Sequence, residues 1–246
     1  MTAENWVTPL YYAALCGLHG VAEWLVNTLS QDVNAPGGYY HTPLHAASRE
    51  GYLEVTQFLL TKNADVNSRG HEDDTPLHCA SEGGHVEVSR VLLNRGAMIN
   101  AIDRRGMTSL NIALKYGPVE TSMEMTKLLL DHGADVNHSN EDGWSPIYAA
   151  WSRDLLDVAD LLVRQGADPN TLDGEGQTLL HLATRQGNLK LARWLLRLGV
   201  DVNSRNNRGQ TPLHTLQMND FIISASAQTV DVALILLENG ANPGVR

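Results

Sequence analysis

The sequence predicts an all-α solenoid of stacked helix-turn-helix units joined by hairpin-like turns, and three observations carry that prediction. A motif opening on Thr or Ser recurs at Thr8 (TPLYYAA), Thr42 (TPLHAAS), Thr75 (TPLHCAS), Thr108 (TSLNIAL), Ser145 (SPIYAAW), Thr178 (TLLHLAT) and Thr211 (TPLHTLQ), at spacings of 34, 33, 33, 37, 33 and 33 residues. A second marker keeps the same beat: Asn34, Asn67, Asn100, Asn137, Asn170 and Asn203 close DVN, DVN, MIN, DVN, DPN and DVN. Finally, each interval holds two short helical patterns too small to bury their own apolar faces, so only stacking on neighbours closes a core.

Taken in chain order, the first unit offers LYYAALCGL, apolar where a terminal unit ordinarily presents a polar outer face. With VALILLENGANP near the other end equally unprotected, the reading is a chain cut from a longer protein whose flanking repeats or domains cover both ends. Tyr40 and Asp73 precede the second and third units where Gly106, Gly143, Gly176 and Gly209 precede later ones, which leaves the turn geometry open at those two places. In the third unit Thr75 can cap a helix and Pro76 suits its first position, since the missing N–H has no intrahelical partner there. Leu77, Ala80 and Ser81 then give small or apolar surface, Gly83 and Gly84 stop the segment, and Val86, Val88, Val91, Leu92 and Leu93 supply the face of a second helix ending at Gly96.

The fourth unit carries four extra residues, because Thr108 to Asn137 spans 29 where Thr75 to Asn100 spans 25; the surplus is placed in YGPVETSMEM, between the helices. The fifth has Trp151 where others have Ser48, Ser81 and Thr184, and Trp151 is expected to fill space opened by that insertion. In the sixth, Lys190, Arg193 and Arg197 share one solvated helix face while Leu191, Trp194, Leu195 and Leu198 turn inward. The seventh holds eight extra residues in NDFIISASAQT, where Phe221, Ile222 and Ile223 are expected to lengthen its first helix and cover the end of the stack, with a docking patch as the alternative.

Composition narrows the function classes. A net charge of −10 repels nucleic acid and acidic membrane surfaces unless basic residues segregate. The basic face of the sixth unit, next to a stretch from Asp131 to Glu175 with ten acidic residues and only Arg153 and Arg164, gives neighbouring bands of opposite sign. No apolar run reaches the ~18–20 residues of a membrane span, and MTAENWVTPL lacks the pattern of a signal peptide, so the expected address is cytoplasmic or nuclear. Cys16 and Cys79 are too few for a disulfide framework or a cysteine zinc site. His45, His78, His181 and His214 lie a repeat apart rather than at metal-ligand spacing, and no nucleophile-elbow, Walker or dinucleotide motif occurs. No cofactor, metal or catalytic residue is therefore assigned.

The period of 33 and the T-P-L-H-x-A signature resemble the ankyrin-repeat family across the whole chain. The resemblance implies a single domain, 1–246, of seven repeats starting near 4, 38, 71, 104, 141, 174 and 207, with each TPLH histidine hydrogen-bonded between adjacent turns. It also implies a concave groove that binds another protein, lined by turn tips and first helices. Its adaptable positions precede the motif threonine (Tyr39, His41, Glu72, Asp74, Arg105, Met107, Asp142, Trp144, Glu175, Gln177) or end the first helix (Arg49, Glu50, Glu82, Gly83, Lys115, Tyr116, Ser152, Arg153, Arg185, Gln186). The candidate protein-binding set is Arg69, Asp74, Arg104, Arg105, Met107, Lys115, Tyr116, Trp144, Ser152, Arg153 and Arg185, richest in repeats 4 and 5, where Tyr, Trp and Arg suit a binding hot spot. Trp144 is expected to face the groove. Two alternatives stand beside this non-enzymatic reading: a receptor for an anionic or nucleotide-like ligand, with Tyr116 and Trp144 stacking on it and Arg104, Arg105 and Lys115 neutralising its charge, and a structural spacer.

Overall fold

The computed structural model describes residues 7–216 and 227–244, which form helices in seven consecutive pairs. These are α1 (Pro9–Leu15) with α2 (His19–Leu29), α3 (Pro43–Glu50) with α4 (Leu53–Thr61), α5 (Pro76–Gly83) with α6 (Val86–Asn94), and α7 (Ser109–Tyr116) with α8 (Val119–Asp131). They continue with α9 (Pro146–Ser152) and α10 (Leu156–Arg164), α11 (Leu179–Gln186) and α12 (Leu189–Arg197), then α13 (Pro212–Thr215) and α14 (Ala227–Glu238). Phe221, Ile222 and Ile223 lie outside the described residues.

Each first helix starts where the motif dictates. The hydroxyls of Thr8, Thr42, Thr75, Thr108 and Ser145 accept from the backbone N–H three residues on, satisfying a donor that the helix itself leaves free. Packing then follows two columns of buried residues. Leu10, Leu44, Leu77, Leu110, Ile147 and Leu180 line the first helices, and Leu25, Leu59, Leu92, Leu129, Leu162, Leu195 and Leu236 the second, each contributing about 1.5–3 kcal/mol by leaving water. Alanines between them (Ala13, Ala47, Ala80, Ala113, Ala150, Ala183) are buried, and in repeats 1 to 5 successive first helices approach closely. At repeat 1, Tyr12, Val21 and Trp24 leave the outer face apolar and exposed, in keeping with its sequence.

Two hydrogen-bond ladders tie one repeat to the next. Burial lowers the pKa of His45, His78 and His181, and the neutral ring uses both nitrogens. Nδ1 of His78 accepts from the Thr75 backbone N–H at 3.1 Å, so Nε2 carries the proton and donates to the Met107 carbonyl at 3.0 Å. His45 reaches the Asp74 carbonyl and His181 that of Gln210 in the same way, as the family resemblance implied. In repeat 4 Asn111 does this work, donating to the Trp144 carbonyl at 3.0 Å. The second ladder belongs to the phased asparagines: Asn67, for example, donates to the Gly96 carbonyl and accepts from Met98 N–H.

The structure changes one expectation and adds detail at two other places. The four extra residues of repeat 4 do not form a loop; α8 has 13 residues where α6 has 9, so they add about one turn, 3.6 residues, and leave the buried face in register. Trp151 is buried, as expected of a space-filling side chain, and it also meets Trp194 of repeat 6 at 4.8 Å. Asp73 takes the left-handed conformation (φ 59°) that Gly106 takes (φ 68°), whereas before repeat 2 that role moves one place on, to His41 (φ 79°). The turns are hairpin-like where Ile102 pairs with Thr108 and Leu172 with Thr178 as antiparallel bridges.

Candidate protein-interaction groove

The turn tips and first helices of repeats 4 and 5 assemble a continuous stack of aromatic rings and cations. Its base is Asp103, buried in the repeat 4 turn, whose Oδ1 accepts from the backbone N–H groups of Arg105 and Met107 at 2.8 Å each. Oδ2 of Asp103 takes both Nε (3.1 Å) and Nη2 (3.0 Å) of Arg105. Burial works against the Arg105 charge, but the Asp103 carboxylate outweighs it and holds the guanidinium protonated. Thus anchored, Arg105 lies 5.2 Å from the Tyr116 ring centre and donates to the Tyr116 hydroxyl at 3.2 Å.

Lys115 continues the stack. Its Nζ stands 5.2 Å from the Tyr116 ring centre and 3.6 Å from that of Trp144, a geometry in which a cation is attracted by the ring face. Trp144 meets Tyr148 edge-to-face at 4.7 Å. Its backbone is fixed on both sides: the N–H donates to Asn140 Oδ1 at 2.9 Å and the carbonyl accepts from Asn111. Burial raises the Tyr148 phenol pKa, with the Asp173 charge adding to the rise and Arg185 opposing it. Tyr116 is 42% exposed, while Trp144 is half-buried and packs on the core, so Trp144 is both groove surface and brace.

The other candidate residues separate by what they touch. Met107 is only 1% exposed, so its side chain belongs to the core and offers no groove surface; the position before the motif threonine points inward in this repeat. Arg153 donates to the Leu114 carbonyl at 2.9 Å, closing the end of α7. Arg104 donates to the His71 carbonyl at 2.6 Å and pairs with Glu72 at 3.6 Å, and Arg69 bridges the carbonyls of Asp73 and Ile102 at 2.7 Å each. These three arginines therefore tie neighbouring repeats together. Asp74 is half-buried and accepts from the Cys79 thiol, Ser152 is exposed and bonds back to its own helix at the Ala149 carbonyl, and Arg185 is exposed at the end of α11.

A concavity of about 650 Å³ opens on the N-terminal side of this ridge, across repeats 2 to 4. Tyr39, Tyr40, His71, Asp74, Asp103 and Arg105 are among its lining residues, and Arg49 forms an ion pair with Glu82 on its wall. Asp103, His71, Cys79 and Ile112 were missed by sequence reasoning. A signal for Asp103 existed: Asp103, Asn140, Asp173 and Asn206 all stand five residues before the motif Thr or Ser, and each accepts from backbone N–H groups of its own turn. Among the described residues no three His, Cys, Asp or Glu side chains converge as a metal site, and no helix is long and apolar enough to cross a membrane.

The family model described as "Ankyrin repeats (3 copies)" matches residues 2–70, 67–140, 105–173 and 146–246. A comparison with curated proteins gives no match. Among solved structures, the chain is similar to the crystal structure of the ankyrin repeat domain of Bcl-3, described as a unique member of the IkappaB protein family. The TM-score is 0.76 at 28% identity, over 93% of this chain and 99% of that one. The phased motif, the stacked helix pairs and these matches agree: the chain belongs to the ankyrin-repeat family, whose arrays are generally protein–protein interaction modules.

Proposed function

We propose that the chain is a non-enzymatic protein-binding module whose partner lies along the concave face, from the repeat 2–4 cleft to the ridge of repeats 4 and 5. The observation that carries this is the stack Arg105–Tyr116–Lys115–Trp144–Tyr148. Large rings and cations held before a partner arrives lose little rotamer entropy on binding, and Tyr, Trp and Arg dominate interface hot spots. Of the residues picked from the sequence, Arg105, Lys115, Tyr116 and Trp144 form the contact surface in this reading. Arg69, Arg104 and Arg153 act through the scaffold.

An anionic or nucleotide-like ligand is less well supported. Two of the three cations it needs are already matched, Arg104 to Glu72 and Arg105 to Asp103, and the neighbouring cleft also carries Asp74 and Glu82. A pure spacer accounts for the stacking but gives no reason for an ordered aromatic ridge on one face. The test is capture from source-cell lysate by the wild type, Tyr116→Ala and Arg193→Ala. A protein held by the wild type and Arg193→Ala but lost by Tyr116→Ala supports the groove; one held equally by all three counts against it.

A further inference from the structure

We propose that the stack is hinged between repeats 5 and 6, and that this joint sets the width of the groove beside the Trp144 ridge; the second part rests on the groove reading above. Both inter-repeat ladders fail at this one junction. At the first-helix position, Tyr11 accepts from Tyr40 N–H, and His45, His78, Asn111 and His181 each donate to a carbonyl of the next repeat. Tyr148 occupies that position in repeat 5, and its side chain makes no such bond among the described residues. In the other ladder, Asn34, Asn67, Asn100, Asn137 and Asn203 each donate to a backbone carbonyl in the next repeat. Asn170 turns back instead, its Nδ2 on Asp168 of its own repeat at 3.3 Å.

Helix spacing changes at the same place. First helices come close backbone to backbone at α1/α3, α3/α5, α5/α7, α7/α9 and α11/α13, whereas the backbones of α9 and α11, and likewise of α10 and α12, stand further apart, with the core between them filled by longer side chains. Trp151 stands at this joint, at the position of the buried Ala14, Ser48, Ser81, Leu114 and Thr184 of other repeats, and is the bulkiest side chain of that column. Its Nε1 is buried and finds no hydrogen-bond partner among the described residues. Among the contacts that span the joint are the Trp151–Trp194 pair, the bond from Trp194 Nε1 to Asp160 Oδ1 at 2.6 Å, a long 3.4 Å bond from Gly174 N–H to the Asp142 carbonyl, the electrostatic influence of Arg185 on Tyr148, and the apolar core shared by Ile147 and Leu162 with Leu180 and Leu195. An aromatic pivot at a joint where neither ladder is made permits rotation of repeats 6 and 7 against repeats 1 to 5. That rotation moves Arg185 of α11 relative to Trp144 and Tyr148, the last groove residues of the first block.

Spin-label distance distributions on the free protein test this without any partner. In a Cys16→Ser background, Lys127→Cys with Arg197→Cys spans the joint, and Glu54→Cys with Lys127→Cys lies within the first block. The spanning distribution should be about twofold wider or more, since it samples a domain motion that the control does not. Asp160→Ala should widen the spanning pair alone, and Tyr148→His, which introduces the residue used in repeats 2, 3 and 6, should narrow it. Equal widths for the two wild-type pairs would overturn the hinge, whatever binds the groove. A partner whose binding Tyr116→Ala abolishes should narrow the spanning distribution; no narrowing would overturn the link between joint and groove while leaving the joint.

Discussion

Trp144→Ala separates a braced aromatic from a loose one. If the indole merely stood on the surface, its removal would change stability by no more than ~0.5 kcal/mol. The structure gives a larger figure. The edge-to-face contact with Tyr148 at 4.7 Å contributes about 0.5–1.5 kcal/mol, and Lys115 over the ring at 3.6 Å about 0.5–1. Half-burial of a side chain of roughly 200 Å² removes about 100 Å² from water, near 2.5 kcal/mol as an upper estimate. Allowing for overlap and relaxation, the expected loss is about 3 kcal/mol, a fall in melting temperature of roughly 6–12 °C for a chain of this size. Chemical denaturation followed by circular dichroism measures it. A double-mutant cycle with Lys115→Met should then return a coupling of about 0.5–1 kcal/mol. A loss within ~0.5 kcal/mol, or a coupling of zero, would refute the ordered stack on which the groove reading depends.

Other outcomes follow from the packing. Leu77→Ala, at a fully buried column position, should cost about 2–5 kcal/mol, with melting unaffected by a chelator. Met107→Ala should destabilise by a comparable amount, about 2–5 kcal/mol, because its side chain is in the core; a melt matching the wild type would return Met107 to the surface. Burial lowers the pKa of His45, His78 and His181 from the ordinary value near 6.5, so the unfolded chain binds more protons just below that pH. Their contribution to stability is therefore full above about pH 6.5 and is lost as pH falls from there toward the lowered folded values. Unfolding free energies at pH 7.5 and 5.5 check the sign, and His78→Asn, the solution used at Asn111, should reduce the slope.

The fold was legible because its signals are local and repeated: a threonine cap, a proline at the first helical position and a glycine stop are each read within a few residues, and the period multiplies the evidence. The insertion of repeat 4 was misplaced since four residues extend a helix by about one turn as readily as they form a loop, and sequence spacing does not distinguish the two. Met107 differs for another reason: the position before the motif threonine is buried or half-buried from repeat 2 onward, and the apolar Met107 side chain there is fully buried. Arg69, Arg104 and Arg153 looked like free cations, but their partners are carbonyls about a repeat away, which no residue type announces. Trp151 was half legible: a bulky residue in a mostly small-residue column was visible, its contact with Trp194 was not.

The central claim is that the concave ridge of repeats 4 and 5 is where a protein binds, and the most direct measurement is hydrogen exchange of this chain with and without the partner that capture identifies. Protection should concentrate in 103–116 and 142–152, with the convex second helices at 86–94 and 189–197 unchanged, and Tyr116→Ala should remove it together with about tenfold or more of the affinity. Protection confined to the convex helices, or affinity unaltered by Tyr116→Ala, would contradict the account.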